Sequence, residues 1–175
     1  MGQAWLLTGR PGVGKTTCLR RTLDLVGRAA GGFFTEEVRQ GGTRVGFALT
    51  TLAGEHGILA DTRHRAGPRV GKYGVDVETL ERIGVPAIRD AARARWLVVI
   101  DEIGKMELAS AAFRQAVEDA LVSPAPVLGT ILAAPHPWAD RIKAMPSVTL
   151  LVVTPANRDA LPGDLARRVA AVRRA

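Results

Sequence analysis

The sequence predicts an α/β fold, a mostly parallel sheet flanked by helices on both faces with an antiparallel β-meander inserted in it. Three observations carry this. The apolar runs Ala4–Thr8 and Trp96–Ile100 end in glycine and in an acidic pair, and read as strands buried on both faces. Between such runs lie stretches whose apolar residues recur at helical spacing. Three strand-like runs between residues 33 and 60 are joined by glycine turns, which gives a meander.

After the first strand, the turn Gly9–Gly14 leads into a helix with Leu19, Leu23 and Val26 on one face, and Gly31-Gly32 is expected to end it. Phe33–Val38, Val45–Leu52 and Ile58–Ala60 form the meander, with turns at Gln40-Gly41-Gly42 and at Gly54–Gly57. Residues 62–74 are polar, contain Gly67-Pro68 and read as a surface loop. Asp76 caps a helix running to Arg82, Gly84 and Pro86 break it, and a second helix covers Ala87–Arg95. Beyond the strand Trp96–Ile100, Ser110 caps a helix that uses Phe113, Val117 and Leu121. Strands at Val127–Ile131 and Val148–Val153 enclose a helix near Trp138–Met145, and Pro162 opens a last helix to Arg174.

The chain of 175 residues fits one domain, 1–175, with no linker or repeat. A lone Cys18 rules out an internal disulfide framework and suits a reducing compartment, so a cytoplasmic protein is expected. No apolar stretch approaches the roughly 20 residues that span a bilayer, and the first residues carry no signal peptide. No membrane partner is therefore expected, and the protein is taken as a monomer. The net charge is +7. Its arginines are scattered apart from Arg167, Arg168, Arg173 and Arg174, so the charge reads as solvated helix faces rather than a nucleic-acid surface.

Gly9-Arg10-Pro11-Gly12-Val13-Gly14-Lys15-Thr16 matches G-x-x-x-x-G-K-[ST] in full. Its glycines let successive N–H groups turn inward around phosphate oxygens, and the following helix directs its positive end at the same anion. Lys15 reaches the β- and γ-phosphates and Thr16 offers a hydroxyl to Mg2+. Arg10 and Thr17 are further candidate contacts. Only four lysines occur, Lys15, Lys72, Lys105 and Lys143, so a lysine at this position reads as a required point charge.

Hydrolysis of a nucleoside triphosphate needs the metal fixed and a water aimed at the γ-phosphorus. Asp101 follows the apolar run Leu97–Ile100, at the strand end where ligands gather in such sheets, and can hold the metal through water. Glu102 is the candidate general base. Lys105, after Gly104, is a candidate cation for the γ-phosphate, with a solvated loop lysine as the even alternative on spacing alone.

Gly9–Thr16, Gly32–Arg39, Arg69–Asp76 and Asp101–Leu108 together resemble the thermophile-type or cancer-related nucleoside-triphosphatases. The likeness continues to Gly129-Thr130 and Asn157-Arg158-Asp159, and the segment Asp101–Leu108 is its most particular part. The resemblance implies a RecA-like P-loop NTPase domain that hydrolyses several nucleoside triphosphates to diphosphates with broad base choice. It implies nucleotide contact along Gly9–Thr16 and along Val98, Val99, Ile100, Asp101, Glu102, Ile103, Gly104 and Lys105, and it adds weight to Lys105.

His56, His64 and His136 lie far apart and do not suggest a zinc site. Cys18, Phe113 and Trp138 read as core. Asn157-Arg158-Asp159 lacks the spacing of a guanine-reading motif; reading the nucleobase and capping a helix are equal alternatives. Two rivals share the phosphate loop. One is a nucleotide or small-molecule kinase, for which Arg63, Arg65 and Arg69 could form a lid. The other is a nucleotide-switched module that grips nucleic acid or protein through its basic last helix.

Overall fold

The computed structural model describes residues 2–172. In chain order the strands are β1 Ala4–Thr8, β2 Ala30–Gln40, β3 Thr43–Thr51, β4 His56–Asp61, β5 Arg69–Val70, β6 Tyr73–Val75, β7 Leu97–Ile103, β8 Val127–Ile131 and β9 Val148–Val152. The helices are α1 Lys15–Val26, α2 Val77–Thr79, α3 Val85–Arg93, α4 Ala111–Val122, α5 Pro137–Lys143 and α6 Leu161–Ala171. The strands make one sheet in the order β5-β6-β4-β3-β2-β7-β8-β1-β9. From β2 to β9 every pairing is parallel, and from β2 outward to β5 every pairing is antiparallel. The expected parallel sheet with a meander is what forms.

The central strands are buried on both faces and feed two cores. Leu6, Val98 and Ile100 join Phe33, Ile88, Phe113 and Val117 on one face. Trp5, Leu7, Leu97 and Val99 join Leu19, Leu165 and Val169 on the other, under α1 and α6. Continuous apolar strands are required for this double burial.

Several boundaries depart from the sequence expectation. Gly27, with φ 57°, ends α1, not Gly31-Gly32. The latter pair lies inside β2, where a Cβ on Gly32 would sit 1.9 Å from the Val99 carbonyl oxygen of β7. That glycine answers a close strand approach, not a helix stop. Residues 62–74 are not all loop, because β5 and β6 extend the meander as a short hairpin. Gly84 and Pro86 do not break the helix. A π turn over Leu80–Gly84 lets Val85 N–H reach the Leu80 carbonyl, and Pro86 then falls in the first turn of α3, where a missing donor costs little. Trp96 lies outside β7 and is 47% exposed. The Ser110 cap forms as expected, its hydroxyl accepting from Phe113 N–H at 3.0 Å. The expected end of the last helix at Arg174 lies outside the described residues.

Candidate active site

The loop between β1 and α1 turns through left-handed backbone at Gly12 (φ 75°) and Gly14 (φ 107°), positions that a side chain would strain. The turn delivers Lys15 and Thr16 to the first residues of α1, whose leading N–H groups have no partner within the helix. Lys15 Nζ donates to the Gly9 and Arg10 carbonyls at 3.2 and 3.3 Å, so its charge lies folded over the loop.

β8 separates β1 from β7, and this spacing builds a chain of three oxygen-bearing side chains. The Thr16 hydroxyl from α1 donates to Asp101 Oδ2 at 2.8 Å, and the Thr130 hydroxyl from β8 donates to Asp101 Oδ1 at 2.7 Å. Asp101 is 1% exposed and Thr130 is fully buried. Burial pushes the Asp101 carboxyl above its ordinary value, against the pull of Thr130, Thr16, Arg20 and Lys15. Hydrogen bonds to a charged group contribute about 1.5–3 kcal/mol each, which keeps the carboxylate aimed although buried.

A bulge in β7 turns both members of the acidic pair to the cleft. Ile100 pairs with Gly129 but Ile103 pairs with Ile131, so β7 holds one residue more than β8 across that step. Ile103 thereby rejoins the core face of Ile100, while Asp101 and Glu102 both line the cleft. Re-aiming a side chain at an active site is a common use of such a bulge. Burial raises the Glu102 carboxyl, Lys15 lowers it and Asp101 raises it further. A raised carboxyl is closer to the range in which a base works near neutrality.

Behind the pair sits Glu107, which the sequence reading did not single out. It is 5% exposed and accepts from Gly104 N–H at 3.1 Å. Burial, with the Glu102 carboxylate next in weight, pushes its carboxyl up to about 8. A Cβ on Gly104 would lie 3.1 Å from Glu107 Oε2 and 3.2 Å from the Glu102 carboxyl carbon, so both acids converge on that glycine.

The cleft holds about 460 Å³ and brings Pro11, Gly12, Gly14, Lys15, Thr16 and Thr17 together with Asp101, Glu102 and Thr130. Its far side is made of Thr35, Glu36, Glu37, Arg44 and Phe47 from β2 and β3. Gly9, Arg10 and Val13 face a second pocket of about 760 Å³, shared with Val152–Pro155 and Arg158. Val98, Val99, Ile100 and Ile103 are fully buried in the two cores and hold Asp101 rather than line the cleft. Lys105 is exposed and lies outside the cleft lining.

Asn157 neither caps a helix nor faces the second pocket. Its side chain accepts from Thr154 N–H and donates to the Val152 carbonyl, both at 2.8 Å, closing the turn after β9. Phe113 and Trp138 are core residues as expected. Thr130 and Glu107 entered the sequence reading only inside the resembling segments Gly129-Thr130 and Asp101–Leu108, with no role of their own.

Among the described residues no cluster of three or more His, Cys, Asp or Glu could cage a metal by itself. A hydroxyl and a buried carboxylate side by side suit a magnesium ion, which takes few protein oxygens and completes its shell with water and phosphate. Thr16 and Asp101 fit that role.

The chain is similar to known proteins along nearly its whole length. Residues 4–166 match the family described as NTPase. The chain is 49% identical to Nucleoside-triphosphatase THEP1 of Thermofilum pendens over 175 residues, covering 96% of both chains. It is 47% identical to the protein of that name from Thermotoga petrophila over 156 residues, covering 89% of this chain and 87% of that one. The crystal structure of THEP1 from Aquifex aeolicus superposes with a TM-score of 0.86 at 36% identity, covering 95% of this chain and 99% of that one. The solution structure of a human cancer-related nucleoside triphosphatase superposes with a TM-score of 0.83 at 38% identity, covering 99% and 100%. With its phosphate loop, its buried aspartate and this likeness along nearly its full length, the chain belongs to the NTPase family of P-loop hydrolases.

Proposed function

We propose that this protein is a magnesium-dependent nucleoside-triphosphatase that converts ATP, GTP and other nucleoside triphosphates to diphosphate and phosphate, with all 175 residues acting as one domain. The observation that carries the proposal is the chain Thr16–Asp101–Thr130 ending beside Glu102 in one cleft. The names of the relatives support the same chemistry.

In this account the loop N–H groups and the start of α1 hold the β- and γ-phosphates. Lys15 moves from its loop carbonyls to the bridging region. Thr16 and Asp101 would hold a magnesium ion, and the ion would supply the charge that neutralises phosphate oxygens. Glu102 orients a water and takes its proton as the water oxygen bonds to the γ-phosphorus. The bond from that phosphorus to the β–γ bridging oxygen breaks, and the diphosphate leaves with the electron pair. Lys105 acts at the rim, on the outer phosphate oxygens.

The second pocket takes the base. Val13, Val152, Val153 and Pro155 give it apolar faces on which any base can stack, with Arg158 at its edge, and this supports broad base choice. Against a kinase, Arg63 pairs with Asp61 and Arg69 donates to the Lys72 carbonyl, and none of the three loop arginines lines the cleft. Against a nucleic-acid module, Arg167 and Arg168 both pair with Asp164. Arg173 and Arg174 lie outside the described residues. The protein is taken as a cytoplasmic monomer. Its one thiol, Cys18, is buried and pushed up to about 11 by burial, and no described helix is long and apolar enough to cross a membrane.

Phosphate release from ATP, GTP, CTP and UTP, with and without magnesium and with no acceptor, tests this. Turnover of all four only with magnesium is expected. Release that requires an added acceptor would replace the proposal with a kinase.

A further inference from the structure

The hairpin side of the cleft is unused by the chemistry above, yet it carries a prepared cation. β2 pairs with β7 only as far as Phe34 opposite Asp101; from Thr35 to Gln40 its ladder is with β3 alone. Six residues at roughly 3.4 Å each carry the hairpin about 20 Å past the edge of the parallel sheet. The two-residue turn Gly41-Gly42 brings β3 back along it, with Thr43 opposite Gln40 and Arg44 opposite Arg39. Arg44 thus reaches the cleft from the side opposite the phosphate loop. Arg44 and Lys15 are the cations among the cleft-lining residues.

The guanidinium of Arg44 is held from one side. Its Nε donates to the Tyr73 hydroxyl at 2.9 Å, and its Nη1 donates to Glu37 Oε1 at 2.7 Å. Its carbon lies 5.3 Å from the centre of the Phe47 ring and 5.8 Å from that of Tyr73. Arg39 also bonds Glu37, so the carboxylate is itself fixed. A guanidinium has five N–H donors in a rigid fork. Among the described residues its Nη2 makes no hydrogen bond, so one arm of the fork is left for an anion. An ion pair with side chains 43% and 39% exposed adds little stability, so stability alone does not account for one arginine held by two hydrogen bonds and two rings. Planar bidentate binding of phosphate is where arginine exceeds lysine.

We propose that Arg44 binds the terminal phosphoryl group of the bound triphosphate from the hairpin side and stabilises the charge that develops there, so that the cleft carries its own catalytic arginine. This rests on the cleft being the hydrolytic site. As the water oxygen bonds to phosphorus and the bond to the bridging oxygen breaks, charge moves onto the bridging and equatorial oxygens, and the water proton goes to Glu102. Lys15 meets that charge from the loop and Arg44 from the hairpin. Glu37 and Tyr73 are positioning residues that keep the fork aimed. Lys105, exposed outside the lining, makes a smaller contribution than Arg44.

The test compares Arg44→Gln, Arg44→Lys and Tyr73→Phe with wild type, and uses Lys15→Ala and Arg63→Gln as controls. Turnover is measured together with calorimetric binding of magnesium nucleoside diphosphate, alone and with aluminium fluoride, which mimics the transferring phosphoryl group. Arg44→Gln should lower kcat by about 10³-fold, bind diphosphate within about threefold of wild type and fail to gain affinity with aluminium fluoride. Arg44→Lys should recover part of the rate. Tyr73→Phe keeps the buried ring and should lower kcat about tenfold through misaiming. Arg63→Gln should match wild type. Turnover within threefold of wild type in Arg44→Gln, with aluminium fluoride still tightening diphosphate, overturns the proposal. Should Arg44→Gln fail to fold, wild-type kcat and aluminium fluoride response in both Arg44→Lys and Tyr73→Phe overturn it. If Lys15→Ala is inactive in that case, only the arginine assignment falls; if Lys15→Ala is also active, the hydrolytic cleft itself is misassigned.

Discussion

Replacing Glu107 by glutamine is expected to raise stability at pH 8–9 and to leave it little changed near pH 4.5. Glu107 is buried, and its carboxyl is pushed from 4.5 to about 8 by that burial and by the neighbouring Glu102 carboxylate. The unfolded chain therefore releases this proton near 4.5 while the fold retains it to about 8. Folding takes up a proton in that window, so stability falls as pH rises through it and levels off above. The window spans 3.5 pH units, and at about 1.36 kcal/mol per unit the wild type loses on the order of 5 kcal/mol across it. Glutamine has the same shape, can still accept from Gly104 N–H and does not titrate. Urea unfolding of both proteins from pH 4.5 to 9 should give curves that separate progressively with pH, the variant being the more stable. Because Glu107 stays protonated at pH 6.5 in this account, turnover there should stay within about threefold. Parallel stability curves, or a variant less stable by a constant amount, would show that Glu107 is ionised in the fold and would refute the reasoning.

Three further outcomes are expected. Thr130→Val removes one of the two hydroxyls on Asp101 and should raise the magnesium concentration needed for half-maximal turnover by about 10–100-fold; an unchanged magnesium titration contradicts it. Gly32→Ala places a methyl 1.9 Å from a backbone oxygen at φ 119° and should cost at least about 4 kcal/mol. A melting temperature within about 2 °C of wild type would argue against that close approach. Lys15→Ala and Thr16→Ala should each abolish turnover with the circular dichroism spectrum kept, and near-native turnover of either would remove the phosphate loop from the site.

Much of this molecule was legible because its determinants are local. The phosphate loop is a contiguous run of eight residues, and β7 announces itself by unbroken apolar residues before Asp101. The Ser110 cap and the Gly41-Gly42 hairpin are short-range in the same way. The misreadings share a cause. Gly31-Gly32 reads as a helix stop only until β7 is packed against it, and Pro86 reads as a breaker until the π turn before it is seen. Contacts distant in sequence were invisible. Thr130 meets Asp101 across 29 residues, Thr16 meets it across 85, and Arg44 meets Tyr73 across 29. No spacing rule connects such pairs; only the strand order does. The bulge that turns both Asp101 and Glu102 to the cleft likewise depends on the register of β7 against β8.

The central claim is that Glu102 activates water in a cleft whose other parts bind the nucleotide. It is tested most directly by measuring, on one preparation of Glu102→Gln, both the affinity for magnesium ATP and the rate of phosphate release. The amide retains size and polarity but cannot take the proton, so affinity within about threefold of wild type and release slowed by about 10²–10⁴-fold are expected. Release near the wild-type rate, or loss of binding in step with loss of release, would contradict the account.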